Sequence, residues 1–554
     1  MASSDSPTGR FFALSVAIAL TWAAAPANAD FAFGEPTNLG PNINSTTWDG
    51  GAAVSPDELE LYFYSFFEGF GIPTVRVAVR QSDQDPWAKA RSASWLPFSG
   101  TSMCFSADGL TLLYESLQAG GFGQTDIWMT TRVTLSDPWG PTVNLGSGVN
   151  SPYTDMGASL SPDGLELYFG SDRPGGSGDW DVYVSTRETA ADPWGPATNL
   201  GPTINSSVYD GHPYIAPDGL TLFVTSARPG GYGDWDIWFT RRRDKESAWP
   251  PLVNAGPALN TSVDDVDPYI SFDGQTLYFS DGYSFRSGGV GGTDLWQVPI
   301  LPIVDFNGDG MVNGEDVLIM AAHWGQDYSP CDVGPTPLGD GIVDLQDVIA
   351  LAEYIGKEVT DPTLLAHWPL DEAEGSVARD SAGDRDGTVV GSPAWQPAGG
   401  SVNGALEFDG TTVVVTEFVL DPDSGPFSVF AWIKGGAPGQ VVVSQTPGIG
   451  FGSTWLGVDA VEGKLMTGLM APLPALVSDS VIADDLWHRI GLVWDGSRRY
   501  LYVDEREVAG DPLDVWGIPS DGDLCIGCGR NLESGSHWSG LIDDVRIYNR
   551  AVRP

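Results

Sequence analysis

A short pattern recurs five times between residues 31 and 300, and it confines the chain to a narrow set of folds. Its turn signal reads Ser55-Pro56-Asp57-Glu58, Ser106-Ala107-Asp108-Gly109, Ser161-Pro162-Asp163-Gly164, Ala216-Pro217-Asp218-Gly219 and Ser271-Phe272-Asp273-Gly274, its aspartates 51, 55, 55 and 55 residues apart. An alternating strand follows each turn, as in Leu61-Tyr62-Phe63 and Leu167-Tyr168-Phe169. A third element, Asp126-Ile127-Trp128, returns at Asp181, Asp236 and Asp294, and a Trp-Pro…Asn-Leu-Gly run ends the unit. Asp and Gly at a strand junction supply an Asx hydrogen bond and a permissive backbone. Four short strands repeated at this period predict propeller blades. Residues 30–300 thus read as a five-bladed β-propeller. Pro36-Thr37-Asn38-Leu39-Gly40 matches the fourth element but precedes the first repeat, and the last repeat stops at Val298-Pro299 without one. Residues 33–40 are expected to pair with the 276–298 strands and close the ring, which removes open sheet edges. An incomplete sixth blade is the alternative.

The repeat resembles the WD40-like, PD40-type blade of TolB-like proteins. Residues common to all blades hold blades together, so the breaks in symmetry are the better functional candidates. Eight residues before the turn aspartates stand Asp49, Gly100, Asp155, Asp210 and Asp265; the four aspartates read as structural caps, and Gly100 is the exception. Two positions later, His212 and Asp267 depart from Gly51, Ser102 and Gly157, and the second blade alone carries Glu115. Glu115, His212 and Asp267 are expected to converge near the propeller mouth. Glu115 with Asp267 is the one carboxylate pair that broken symmetry nominates for glycoside hydrolysis. Arg173 and Arg228 read as hairpin-turn residues.

After the repeats, Asp305-Phe-Asn307-Gly-Asp309-Gly310-Met311-Val-Asn313-Gly-Glu315-Asp316 has the spacing of an EF-hand calcium loop. Asp305, Asn307, Asp309, Asn313 and Asp316 place side-chain oxygens at positions 1, 3, 5, 9 and 12, Met311 offers a carbonyl, and Gly310 permits the turn. A second copy ends Asp340-Gly341-Ile342-Val343-Asp344-Leu345-Gln346-Asp347. There Thr336 and Leu338 fall at positions 1 and 3, so Asp340, Asp344 and Asp347 are its candidate ligands; Asp332 supplies a missing oxygen if the Pro335–Pro337 segment bends back. Two tandem loops, each ending in Asp and followed by one short helix, resemble a type I dockerin over residues 303–357. The resemblance implies bound Ca²⁺ and a cohesin-type protein partner.

From 362 to 554 the motifs HWPLDE, ALEFDG, FSVFAWIK, WHRIGLVWDG, LYVDE and GLIDDVRIYNRA resemble the LamG/concanavalin A-like family. Their apolar alternation suits two packed antiparallel sheets. The resemblance implies a β-sandwich (jelly roll) with calcium, glycan or protein bound at a rim, and Asp409 and Asp543 as the positions for one Ca²⁺ site. The fold expected is mainly β, with a small helical module between propeller and sandwich.

Composition narrows the partners. Lys and Arg number 27 against 73 Asp and Glu, a net charge of −46 that phosphate backbones would repel. Residues 1–29 read as a secretory signal peptide, with Arg10, an apolar run and Ala27-Asn28-Ala29 before Asp30. No other apolar stretch approaches the roughly 20 residues of a membrane span. Cys525 and Cys528 read as a local disulfide or two buried thiols, since zinc would need two more ligands. Together these features predict a secreted or cell-surface bacterial protein that binds calcium and a polysaccharide or glycoprotein glycan. The rival expectations are a polysaccharide-active hydrolase using the propeller funnel and a purely structural surface protein.

Overall fold

The computed structural model describes residues 31–66, 73–282, 285–326, 331–357, 359, 361, 363–423, 425–448, 452–469, 474–512, 520–533 and 535–552. The segment read as a signal peptide lies outside them. Five four-to-five-stranded antiparallel sheets form the blades. The fourth blade is typical: inner strand Asp210–Ile215, then Thr221–Ser226, Asp236–Arg241 and the outer Val253–Asn254. The buried faces of these strands, among them Leu222, Phe223, Val224 and Ile237, fill the space between blades.

The ring closes as the repeat pattern requires. The fifth blade has Val266–Ile270, Thr276–Ser280 and Leu295–Pro302, and the chain's own beginning completes it. Thr37 pairs with Gln297 and Asn38 with Trp296. The seam extends further than expected, because Phe31–Phe33 also pairs, Phe31 with Pro302 and Phe33 with Ile300. Both phenylalanines are buried, Phe31 against Phe223 and Phe239 of the fourth blade.

Two short helices follow, α1 (Gly314–Ala322) and α2 (Leu345–Ala352). Each begins with a capping box, Asn313 with Asp316 and Asp344 with Asp347, which satisfies two otherwise orphaned backbone donors. The rest is a sandwich of two eight-stranded antiparallel sheets. Trp368, Trp455 and Trp538 are fully buried between them. Cys525 and Cys528 form a disulfide, while Cys104 and Cys331 are buried thiols outside it. Among the described residues no helix is long and apolar enough to cross a membrane.

The helical segment is fastened on both sides. On the sandwich, Arg546 Nη1 and Tyr548 Oη donate to the Gly308 carbonyl at 3.0 and 2.8 Å, Arg489 Nη2 to Asn307 O at 3.2 Å and Arg550 Nη2 to Asp305 O at 3.1 Å. On the propeller, Arg241 Nη2 meets Asp332 Oδ2 at 2.7 Å.

Removing residues 31–40 should expose the edge of Leu295–Pro302 and uncover two phenylalanine sites worth about 2–3 kcal/mol each. The truncated chain is expected to melt at least about 5 °C lower and to associate. Calorimetry and size-exclusion chromatography check this, and an unchanged monomer would contradict it.

Candidate functional site

Each inner strand carries an irregularity at the same place. Its pairing register shifts between Gly50 and Ala53, Thr101 and Cys104, Met156 and Ser159, Gly211 and Tyr214, and Val266 and Tyr269. Inside each shift one residue has left-handed backbone: Gly51 (φ 62°), Ser102 (42°), Gly157 (61°), His212 (45°) and Asp267 (57°). These five residues line one small cavity on the propeller axis. Glycine takes that conformation freely, whereas other residues are strained there by about 1–3 kcal/mol. Two blades use glycine, and three accept the strain and set a hydroxyl, an imidazole and a carboxylate on the axis. At Gly157 a Cβ would meet His212 Cα at 3.0 Å, so the neighbour of the histidine has to be small.

The side chains singled out by broken symmetry do meet. His212 Nδ1 lies 2.7 Å from Asp267 Oδ1. Glu115 accepts from Thr101 Oγ1 at 2.5 Å, Ser102 Oγ at 3.2 Å and the Gly157 N–H at 2.9 Å, and so straps the second blade to the third. Burial by itself would lower the His212 pKa; the charge and hydrogen bond of Asp267, with Glu115 behind them, outweigh it and raise it to about 9. The imidazolium is therefore the resident form at neutral pH.

Aromatic rings gather at the same end. Tyr209 stacks on Trp235 with centroids 4.9 Å apart, and lies 6.0 Å from Trp180 and 6.4 Å from the His212 ring. Trp48 and Phe66 meet edge to face at the end of the first blade. Phe122, Tyr153, Tyr232 and Phe285 are exposed on the loops of this face. The repeated aspartates are caps: Asp210 holds Ser206, Ser226 Oγ and Arg228, and Asp155 and Asp265 hold Arg173 and Arg286. Arg286, whose turn lacks the Arg-Pro-Gly-Gly signal, was not legible in the repeat.

The first calcium-type loop curls onto itself. Asp305 accepts backbone N–H groups of Gly308, Asp309 and Gly310, and Asp316 those of Phe306 and Asn313. Asn307 and Asn313 both reach Asp309 Oδ2. Met311 is exposed, with its N–H on Asp309. Burial, opposed by the Gly310 N–H and Arg550, pushes the Asp305 carboxyl up to about 6, with Asp309 and Asp316 adding to the rise. Among the described residues no three His, Cys, Asp or Glu side chains are grouped as a metal site. By chemistry the first loop fits a hard cation all the same, since it offers carboxylates, carboxamides and a carbonyl around one turn.

The second loop is corrected by its hydrogen bonds. Thr336 and Leu338 do not stand at positions 1 and 3. Asp332 accepts the Asp340 and Gly341 N–H groups, and Asp347 those of Val333, Gly334 and Asp344. The loop therefore begins at Asp332, with Gly334 third and Asp340 and Asp344 at positions 5 and 9. Four extra residues, 335–338, defeat a fixed-spacing count.

On the sandwich, Asp409 and Asp543 do not share a site. Asp409 Oδ1 accepts from the backbone and hydroxyls of Thr411 and Thr412, which holds its pKa well below the carboxylate range. It pairs with Ser539, four residues or ~13 Å along the strand from Asp543. Asp543 Oδ2 takes the Ser401 and Val402 N–H groups, and its Oδ1 is buried with no hydrogen-bond partner. Burial first, then Asp544 and Asp371, raise it to about 7. Sequence reasoning missed a chain of contacts beside it. Ser381 Oγ is 2.8 Å from His367 Nδ1, and His367 Nε2 is 2.7 Å from Asp544 Oδ1. The N–H groups of Ser381 and Ala382 are spent on His367 O and Asp380, so neither of these two donors is turned toward an oxyanion.

Residues 408–554 match the family model described as the concanavalin A-like lectin/glucanases superfamily. The chain is a mainly β protein in which a five-bladed propeller precedes a concanavalin A-like sandwich. Among solved structures it is similar to Trypanosoma rangeli sialidase in complex with the inhibitor DANA, at 12% identity and TM-score 0.47 over 92% of each chain. TolB from Acinetobacter baumannii is 18% identical, TM-score 0.30, over 47% of this chain and 56% of that one. Domain 4 of AbnA, a GH43 extracellular arabinanase from Geobacillus stearothermophilus in complex with arabinotriose, is 19% identical, TM-score 0.29, over 34% and 94%. No residue role passes from these likenesses to this chain. No curated protein matched it.

The raised His212 pKa fixes a pH dependence. Stability from its ion pair is fully present below the unfolded value near 6.5 and is lost as pH rises through about 9. Denaturant unfolding from about pH 6 to about pH 10 should show a loss on the order of 2 kcal/mol that His212→Gln lacks. Equal slopes in both proteins would rule the pairing out.

Proposed function

We propose that the chain is an exported carbohydrate-binding protein that uses the axial face of its propeller together with its sandwich, and that is attached through its helical module. The observation that carries this is the Trp180–Tyr209–Trp235 group beside the His212–Asp267 pair. Apolar sugar faces pack on aromatic rings, and hydroxyls take hydrogen bonds from charged groups; a recognition site needs both in one place. The concanavalin A-like match of residues 408–554 supports the same class of ligand. Recognition is favoured over two-carboxylate glycoside hydrolysis, in which both carboxylates must be at work on one bond. Glu115 is committed to three hydrogen bonds and Asp267 to His212.

A glycan array followed by calorimetry tests it. Trp235→Ala is expected to weaken the propeller's share of binding about tenfold, and His212→Gln by a similar factor, with the sandwich's share unchanged. No glycan bound, or binding indifferent to both substitutions, would remove the propeller from the reading.

The module supports attachment. Val317 and Leu318 on α1 with Trp324 just after it, and Leu345, Val348 and Ile349 on α2 with Ile355 just after it, are exposed, while the loops face the two large domains. Apolar helix faces left in water mark an interaction site, and a cohesin-type domain is the partner proposed. Ca²⁺ in the first loop would be held by Asp305, Asn307, Asp309, the Met311 carbonyl, Asn313 and Asp316. At free calcium about 100-fold above its Kd the ion would add about 2.7 kcal/mol to the module. Capture on an immobilised cohesin-type domain should require calcium, and should be lost in Asp305→Asn and in Leu318→Asp/Ile349→Asp. Equal capture in EDTA would refute the calcium requirement.

A further inference from the structure

The two loops differ where a cation would sit. In the first, the third position is Asn307, with a carboxamide oxygen to offer. In the second it is Gly334, with no side chain, and a Cβ there would meet the Gln346 carbonyl oxygen at 2.5 Å. The four extra residues leave the loop for the propeller. Leu338 is buried in the propeller's own core cluster, and Thr336 lies against Gly274 in the fifth blade's turn.

The propeller answers with a charge. Arg241 is the last residue of the strand Asp236–Arg241. Its Nη2 donates to Asp332 Oδ2 at 2.7 Å and its Nη1 to the Leu338 carbonyl. The two side chains of this ion pair are 2% and 0% exposed. The Asp332 carboxylate thus carries a guanidinium as well as the Asp340 and Gly341 N–H groups. The first loop is treated otherwise. Arg489, Arg546 and Arg550 donate to its backbone carbonyls at Asn307, Gly308 and Asp305.

We infer that the second loop is a metal-free lock between module and propeller, in which Arg241 of the fourth blade stands in for the divalent cation. A guanidinium suits that place: it is always charged, planar and weakly hydrated, and its fork reaches a carboxylate and a carbonyl together. A chelator cannot withdraw it. The inference does not depend on the first loop holding calcium.

Hydrogen exchange on the full chain, in EDTA and in millimolar CaCl₂, tests it. The Asp340 and Gly341 amides should keep their protection within about twofold between the two conditions, and Arg241→Gln should lose at least about tenfold in both. Native mass spectrometry should count the same number of calcium ions in Asp340→Asn/Asp344→Asn as in the unmodified chain. A tenfold fall of those protections in EDTA, or one ion fewer in the double variant, overturns the inference. Should Arg241→Gln unfold the blade by circular dichroism, the unmodified chain in EDTA and the ion count still decide.

Discussion

Closing five sheets into a ring brings five inner strands together at one axis, and that crowding governs what can stand there. Each strand meets it with the same bulge, and each bulge turns one residue into left-handed backbone. Only a few residue types tolerate that conformation, and the ring uses four of them, Gly, Ser, His and Asp. The chemistry of the propeller mouth is therefore a by-product of closure. A larger β-branched residue at Gly157 would strain its own backbone and collide with His212.

Much of this was legible in the sequence, for a physical reason. A repeat fixes the blade, so each position can be compared with four copies of itself, and departures such as Glu115, His212 and Asp267 stand out without any relative. The closing strand was legible because a fourth element sat at the wrong end of the array. The bulge was not, because its cause is packing between blades rather than local propensity. The calcium-type loops show the converse failure. A fixed-spacing template reads the first loop and miscounts the second, where four residues are inserted, so Asp332 appeared only as a conjecture. Asp409 and Asp543 were paired on the family resemblance, which carries no information about what each carboxylate already binds. An aspartate beside a turn often spends its oxygens on its own loop, as Asp409 does on Thr411 and Thr412. The Ser381–His367–Asp544 contacts join residues up to 177 positions apart, beyond any local pattern.

The helical module shows how one loop design serves two ends. Both loops close on a first-position aspartate that gathers backbone N–H groups, and both end in a capping box that starts a helix. What differs is the neighbour. The first presents its carbonyls to the sandwich's arginines, and the second surrenders its carboxylate to the propeller's Arg241. A small helical module is thereby used as a joint, with apolar residues of its helices left facing solvent.

That joint sets mechanical terms for everything around it. With anchors of buried, charge-assisted contacts on both sides, the toroid and the sandwich are not beads on a string. On the proposed reading, a glycan gripped by one would meet the other at a local concentration fixed by a rigid span, not diluted by a tether's wandering. Chain geometry, and not only sugar identity, would then select which strands of a matrix are held at both ends.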